Sequence, residues 1–168
     1  MVQFMDDSRP TMVEEPGDHV SSATGQSPWH LWVVGGVSLL WNCFGALDYT
    51  MSQLRNETYL GAAAESMGIT AAEMIAFIDS FPGWMHAFWA LGVWGALAGS
   101  VLLLMRSRYA VWAFGVSLTG LAVTQLYQAT TVQPEWVDTS KGMTIFIWSV
   151  ATFLLIYAVS VRKKGVLR

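Results

Sequence analysis

Cysteine and charge are what this chain of 168 residues has least of. Its one cysteine, Cys43, excludes an intrachain disulfide, a CxxC redox pair and any cysteine-cluster metal site. Charged residues make up only 12%, against about 25% in an ordinary soluble domain. The few cations form no patch of the kind nucleic acid requires, so no nucleic-acid partner is expected. A phosphate-binding loop, a zinc motif and a nucleophile–base arrangement are all missing. No enzyme, metal or cofactor is therefore expected. The first 28 residues are polar and acidic and carry Pro10, Pro16 and Pro28. They do not read as a cleavable signal peptide, which has a basic start followed by an apolar run.

Hydrophobic residues, by contrast, reach 54%, and they fall into four tracts at about 30–49, 83–105, 109–129 and 142–161. Each meets the roughly 20 residues that a hydrocarbon core of about 30 Å demands. The tracts lack the period-2 alternation of barrel strands. Since lipid leaves only helices or closed barrels to satisfy the backbone, the expected fold is an all-α bundle of four transmembrane helices. Residues 1–28 are expected to be an acidic tail, 29–161 the membrane domain and 162–168 a basic tail. The tail carries Asp6, Asp7, Glu14, Glu15 and Asp18 against Arg9, a composition of disorder that also suits a partner with a basic surface.

Direction follows from the cations. With both termini inside, Arg9, Arg106, Arg108, Arg162, Lys163, Lys164 and Arg168 lie on the cytoplasmic side and only Arg55 and Lys141 outside, a positive-inside pattern. The connection from 50 to 82 is then external. Within it, Thr70 and Glu73 form a capping box and Ile69 with Met74 a hydrophobic staple. Met74, Phe77, Ile78 and Phe81 make an apolar stripe at helical spacing. A short helix ending near Pro82 is expected, lying on the outer surface or capping the bundle.

Two polar seams run along the spans. The first carries Ser38, Asn42, Gly45 and Tyr49; the third carries Ser117, Gly120, Thr124, Gln128 and Thr131. Both are expected to face inward, as polar and small residues do in lipid. In the second span, Gly92, Gly95, Ala96 and Gly99 suggest a close helix contact. Trp32-to-Leu39 faintly resembles Trp112-to-Leu118, either as a parallel repeat or by chance among apolar helices.

Asn42, Asp48, Tyr49, His86, Gln125 and Gln128 are the candidate polar cluster. At about 1.5 Å per residue, Asp48 and His86 both sit about 12 Å outward of the bundle middle. An acid at that depth is either a proton or substrate site or an interfacial group, solvated or bonded to His86, that fixes helix packing. Asn42 lies deeper, where an interhelical hydrogen bond is the simpler use. A haem held by two histidines lacks its second ligand, since His30 lies at the opposite face. Asp48 with His86 alone underpopulates a metal site. Trp41, Trp89, Trp94 and Trp148 fall inside the spans, where they fill helix gaps, meet lipid, or stack on a ring-bearing ligand or pigment.

Trp41-Asn42-x-x-Gly45-x-x-Asp48-Tyr49, then Phe81-Pro82-x-Trp84 and Leu103-Leu104-Met105-Arg106-Ser107-Arg108, resembles a family of small uncharacterised bacterial four-span membrane proteins. Some of its members are loosely labelled sugar-transporter-like. The resemblance spans about 29–161 and implies a bacterial inner membrane. The leading functional expectation is a non-catalytic accessory or scaffolding subunit of a larger inner-membrane complex, such as an energy-transducing one. It rests on the missing catalytic set, the few polar groups in the spans and the acidic tail. The alternative is a small oligomeric transporter for a polar solute such as a sugar. Expected partners are the lipid bilayer and either other membrane subunits or further copies of the chain.

Overall fold

The computed structural model describes residues 28–137 and 141–168; the acidic tail through residue 27 lies outside the described residues. Every regular element among them is helical: α1 (Trp29–Gln53), α2 (Glu57–Ser66), α3 (Ala71–Asp79), α4 (Gly83–Leu104), α5 (Ala110–Thr130) and α6 (Lys141–Lys163). Four of these, α1, α4, α5 and α6, are long and apolar enough to cross a membrane. The protein is a multi-pass helical membrane bundle. Its spans alternate in direction, which makes one end basic (the α4–α5 turn and the C-terminus) and the other the end where α2 and α3 lie.

Local signals set the helix limits. Pro28 and Pro82 occupy the N-cap positions of α1 and α4, where a missing N–H costs nothing. Four helices end in the same hydrogen-bonded cap, in which two N–H groups fold back onto the last turn. After α6, Gly165 (φ 71°) donates to Arg162 O at 3.0 Å and Val166 to Val161 O at 3.2 Å. Gly68 (φ 74°) plays the same part after α2, donating to Glu65 O. Arg55 (φ 53°) and Arg106 (φ 58°) do so after α1 and α4. A side chain in that left-handed region costs roughly 1–2 kcal/mol, so each arginine needs compensating contacts. Arg55 has them: its guanidinium reaches Asp79 Oδ1 at 2.6 Å and the carbonyls of Ser52 and Gln53 at 2.9 and 3.0 Å. This joins the end of α1 to the end of α3.

The segment from 54 to 82 holds two helices where one was expected. The capping box at Thr70 and Glu73 is present and starts α3. α2 was not anticipated, although its start is marked by Asn56, whose side chain accepts from Tyr59 N at 2.9 Å. The two helices meet at 104°. At about 1.5 Å per residue each is only about 15 Å long, half of what a span needs. The pair therefore forms a hairpin across one end of the bundle. α1 also runs four residues past its expected end, which carries Gln53 up to that hairpin.

The spans pack in the order α1, α4, α5, α6. The tightest pair is α4 with α5, built on small residues. A Cβ placed on Gly120 would lie 2.5 Å from Gly92 N and 2.6 Å from Phe88 O; one on Gly95 would lie 3.1 Å from Ser117 N. Gly99 takes the Phe114 ring in the same way. Ala96, grouped with these glycines by spacing, instead turns towards α1, where its carbonyl accepts from Asn42 at 3.3 Å.

The apolar core sits at the basic end. Leu31, Leu103, Ala110, Phe114, Leu154, Ala158 and Val161 come from all four spans, and Val166 and Leu167 join them. The final residues, expected to form a separate basic tail, thus fold back into the bundle. Arg168 N donates to Arg106 O at 2.7 Å and Arg108 N to Arg168 O at 2.8 Å, pairing the C-terminus with the α4–α5 turn.

Two outcomes follow. Gly120→Ala meets backbone on the neighbouring helix, so it is expected to cost about 1–3 kcal/mol by overpacking, seen as a lower unfolding temperature in detergent. Gly36→Ala, with nothing within 4 Å, is expected to leave that temperature unchanged. The Glu73 carboxyl titrates below its ordinary range because Thr70 N–H, then its hydroxyl, bonds the charged form. A lowered carboxylate stabilises above its unfolded pKa and loses that contribution as pH falls through the folded one. Amide protection in α3 is expected to fall selectively as pH drops through and below the ordinary carboxylate range, Thr70→Ala to weaken that response and Glu73→Gln to remove it.

Candidate functional site

The glycine contacts hold α4 against α5, and the core holds α6 by its basic-end half only. Towards the hairpin end a cavity of about 640 Å³ opens between the four spans. Its floor is Phe114 and Leu154 of the core. α1 lines it with Trp41, Asn42, Phe44, Gly45, Leu47 and Asp48; α4 with Met85, Trp89, Gly92, Val93 and Ala96. α5 presents Ser117, Leu121, Thr124, Gln125 and Gln128 in successive turns, and α6 supplies Met143, Ile147, Val150 and Ala151. Tyr59 of α2 and Phe81 complete the rim. On the lipid side, Trp41 and Phe146 bridge α1 and α6 edge to face, with ring centroids 5.4 Å apart. Nearer the core the same two helices meet through His30 Nδ1 and Tyr157 OH at 2.6 Å.

Some polar groups on the walls are already used by the fold. Ser117 donates to Gly92 O at 2.6 Å, and Thr124 to the carbonyls of Gly120 and Leu121 in its own helix. Asn42 Nδ2 donates to Ser100 Oγ at 2.9 Å as well as to Ala96 O, which fastens α1 to α4. The side-chain amides of Gln125 and Gln128, half-buried on the cavity wall, make no hydrogen bond among the described residues. Asp48 stands at the mouth, its Oδ1 accepting from Tyr59 OH at 3.1 Å. Burial, then the Asp48 charge and hydrogen bond, raise the Tyr59 phenol above its usual value. Among the described residues, no lysine, arginine or histidine lines the cavity.

The six candidate residues therefore divide. Asn42, Asp48, Gln125 and Gln128 share the cavity wall, while Tyr49 and His86 do not. Successive helical residues point about 100° apart, so Tyr49 turns to α4 when Asp48 turns to the cavity. Its ring meets Trp89 edge to face at 5.1 Å. His86 stacks on the same tryptophan at 6.4 Å and bonds Gln53 Nε2 at 3.0 Å. The expected Asp48–His86 bond is absent: each has another partner, and the longer α1 is what brings Gln53 to the histidine. Tyr59 and Phe81 escaped the sequence reading because α2 was not foreseen and Phe81 was assigned to the α3 stripe. Among the described residues, no group of three side chains is placed to hold a metal ion.

Above the mouth lies an aromatic group. Phe77 of α3 packs on Phe81 at 4.8 Å and on Trp136 at 5.1 Å, and Trp84 on Tyr127 at 5.3 Å. α3 is thereby tied to the loop that follows α5.

Asn42→Leu keeps the volume and removes the α1–α4 hydrogen bonds. It is expected to lower stability by about 0.6–2 kcal/mol, measured by unfolding in detergent.

No family model, no curated protein and no solved structure matches this chain.

Proposed function

We propose that the protein is a non-catalytic bacterial inner-membrane protein that receives one amphiphilic molecule in its intramembrane cavity. The observation carrying this reading is the cavity wall itself: apolar and aromatic over most of its area, with the Gln125 and Gln128 amides on α5 and the Asp48 carboxylate on α1 among its few polar groups. A largely apolar pocket with a few placed polar groups is the usual form of a small-molecule site, and 640 Å³ is within the range of about 300–1,000 Å³ for such sites. The basic end, closed by the core, faces the cytoplasm on the positive-inside argument. The mouth then faces the periplasm, with a lateral slot to the outer leaflet between α1 and α6. Carrying a ligand across the bilayer would need a second conformation or a second copy, which brings this reading close to a small oligomeric transporter.

An accessory subunit of a larger inner-membrane assembly is the second reading. Supporting it are the exposed apolar residues of α1 and α6, among them Leu40, Phe44, Ile145 and Phe146, which a partner helix would cover.

The two separate in one experiment. Protein taken gently from native membranes is expected to show, by native mass spectrometry, a bound small molecule in single stoichiometry. Gly45 lines the cavity and has open space around its Cβ direction, so Gly45→Leu is expected to expel that molecule without lowering the unfolding temperature. A stoichiometric protein partner, with no small molecule retained, would replace the binding reading by the subunit one.

A further inference from the structure

We infer that the cavity selects a monocation, a protonated amine or a quaternary onium centre carried on an apolar body; this rests on the binding reading above and names its ligand class. Among the described residues, Asp48 is the one formally charged group on the wall. Its neighbour Tyr59 donates a hydrogen bond to it and leaves its charge in place. Trp41, Trp89 and Phe81 line the same space, and aromatic rings attract cations by their quadrupoles. The carbonyl oxygens of the Gln125 and Gln128 amides add acceptors for N–H groups.

The approach carries the same sign. Glu57, Glu65, Glu73, Asp79 and Glu135 lie at the hairpin end. Among the described residues, two cations stand at that end against these acids: Arg55, bound to Asp79, and Lys141 at the start of α6, so the end is net negative. A mouth of one sign between low-dielectric walls concentrates counter-ions and repels like charge. An anionic lipid or fatty acid would meet no positive partner inside. A bare divalent ion would find no set of ligands among the described residues. The apolar floor, Phe114 and Leu154, suits the hydrocarbon or ring body of an amphiphile and not a hydrated ion.

Three ring compounds of similar shape and different charge test this. The full chain in zwitterionic nanodiscs is titrated with tetraphenylphosphonium, tetraphenylborate and triphenylphosphine oxide, following quenching of tryptophan fluorescence. Saturable quenching by the phosphonium is expected, weakening about tenfold in Asp48→Asn, recovering in Asp48→Glu and weakening with salt. Gly45→Leu is expected to abolish it. Equal affinity for the borate or the neutral oxide, or an unchanged phosphonium affinity in Asp48→Asn, would overturn the charge assignment while leaving the binding cavity intact. Quenching by all three that does not saturate and ignores Gly45→Leu would be simple partition into lipid, and would overturn both.

Discussion

The bundle depends on a backbone-to-backbone approach between α4 and α5. In lipid no hydrophobic force drives helices together, because acyl chains are as apolar as leucine. Association comes from close packing and interhelical hydrogen bonds. Gly92, Gly95 and Gly120 let the two backbones touch, and the Ser117 hydroxyl spans the contact to Gly92 O at 2.6 Å. The other spans are attached to this pair. α1 leans on α4 through Asn42 and through Gly35, whose missing side chain admits Leu104. α6 leans on α5 through Leu154 and Ala158 against Phe114 and Ala110.

From that order comes an asymmetry along the membrane normal. At the basic end all four spans converge, and the chain end is folded back against the α4–α5 turn. The pairing of Arg168 with Arg106 and Arg108 uses backbone groups that a helix end would otherwise leave open. It also accounts for a left-handed Arg106, which the strap holds from both sides. At the hairpin end nothing comparable draws α6 inward. Its residues Met143, Ile145 and Phe146 are exposed at 57%, 65% and 50%, and the Trp41–Phe146 ring pair is what bridges the gap. A cavity results because α6 is held against α5 at its basic-end half and has only sparse contact with α1.

Much of this was legible in the residues. Span number and fold class follow from length and apolarity, which lipid turns into hard constraints. The inward turn of the α5 seam was legible because Ser117, Gly120 and Thr124 have no other inexpensive place to face, and all three are buried. The capping box at Thr70 and Glu73 is a local device and was read locally. Features that depend on relative helix placement were not readable in this way. Depth along the normal put Asp48 and His86 at one level, but pairing also needs azimuth, and a 100° step separates Asp48 from the α4-facing side. α2 escaped because its alanine-rich sequence has no apolar stripe; its stability comes from Asn56, the turn at Gly68 and the contact with α3. The C-terminal strap was hidden for a simpler reason: a basic tail of seven residues looks solvated, and only its Val166 and Leu167 betray the buried turn.

The hairpin connects the mouth to the rest of the bundle. Tyr59 of α2 holds the carboxylate at the rim. Arg55 ties the end of α1 to the end of α3 through Asp79. Phe77 ties α3 to Trp136 in the loop following α5. Two of these ties fasten the hairpin to α1 and the third fastens it to the loop after α5, so α1 cannot shift without pulling on α3, and through Phe77 on that loop. Asp48 and Asp79 compete for no common partner: Tyr59 serves one and Arg55 the other. A charge arriving at Asp48 would act on the Tyr59 hydrogen bond first, and α1 itself connects Asp48 to the Arg55–Asp79 pair. The carboxylate at the mouth is thus mechanically in series with the cap above it, which is the arrangement a site needs if its occupancy is to be felt outside the membrane.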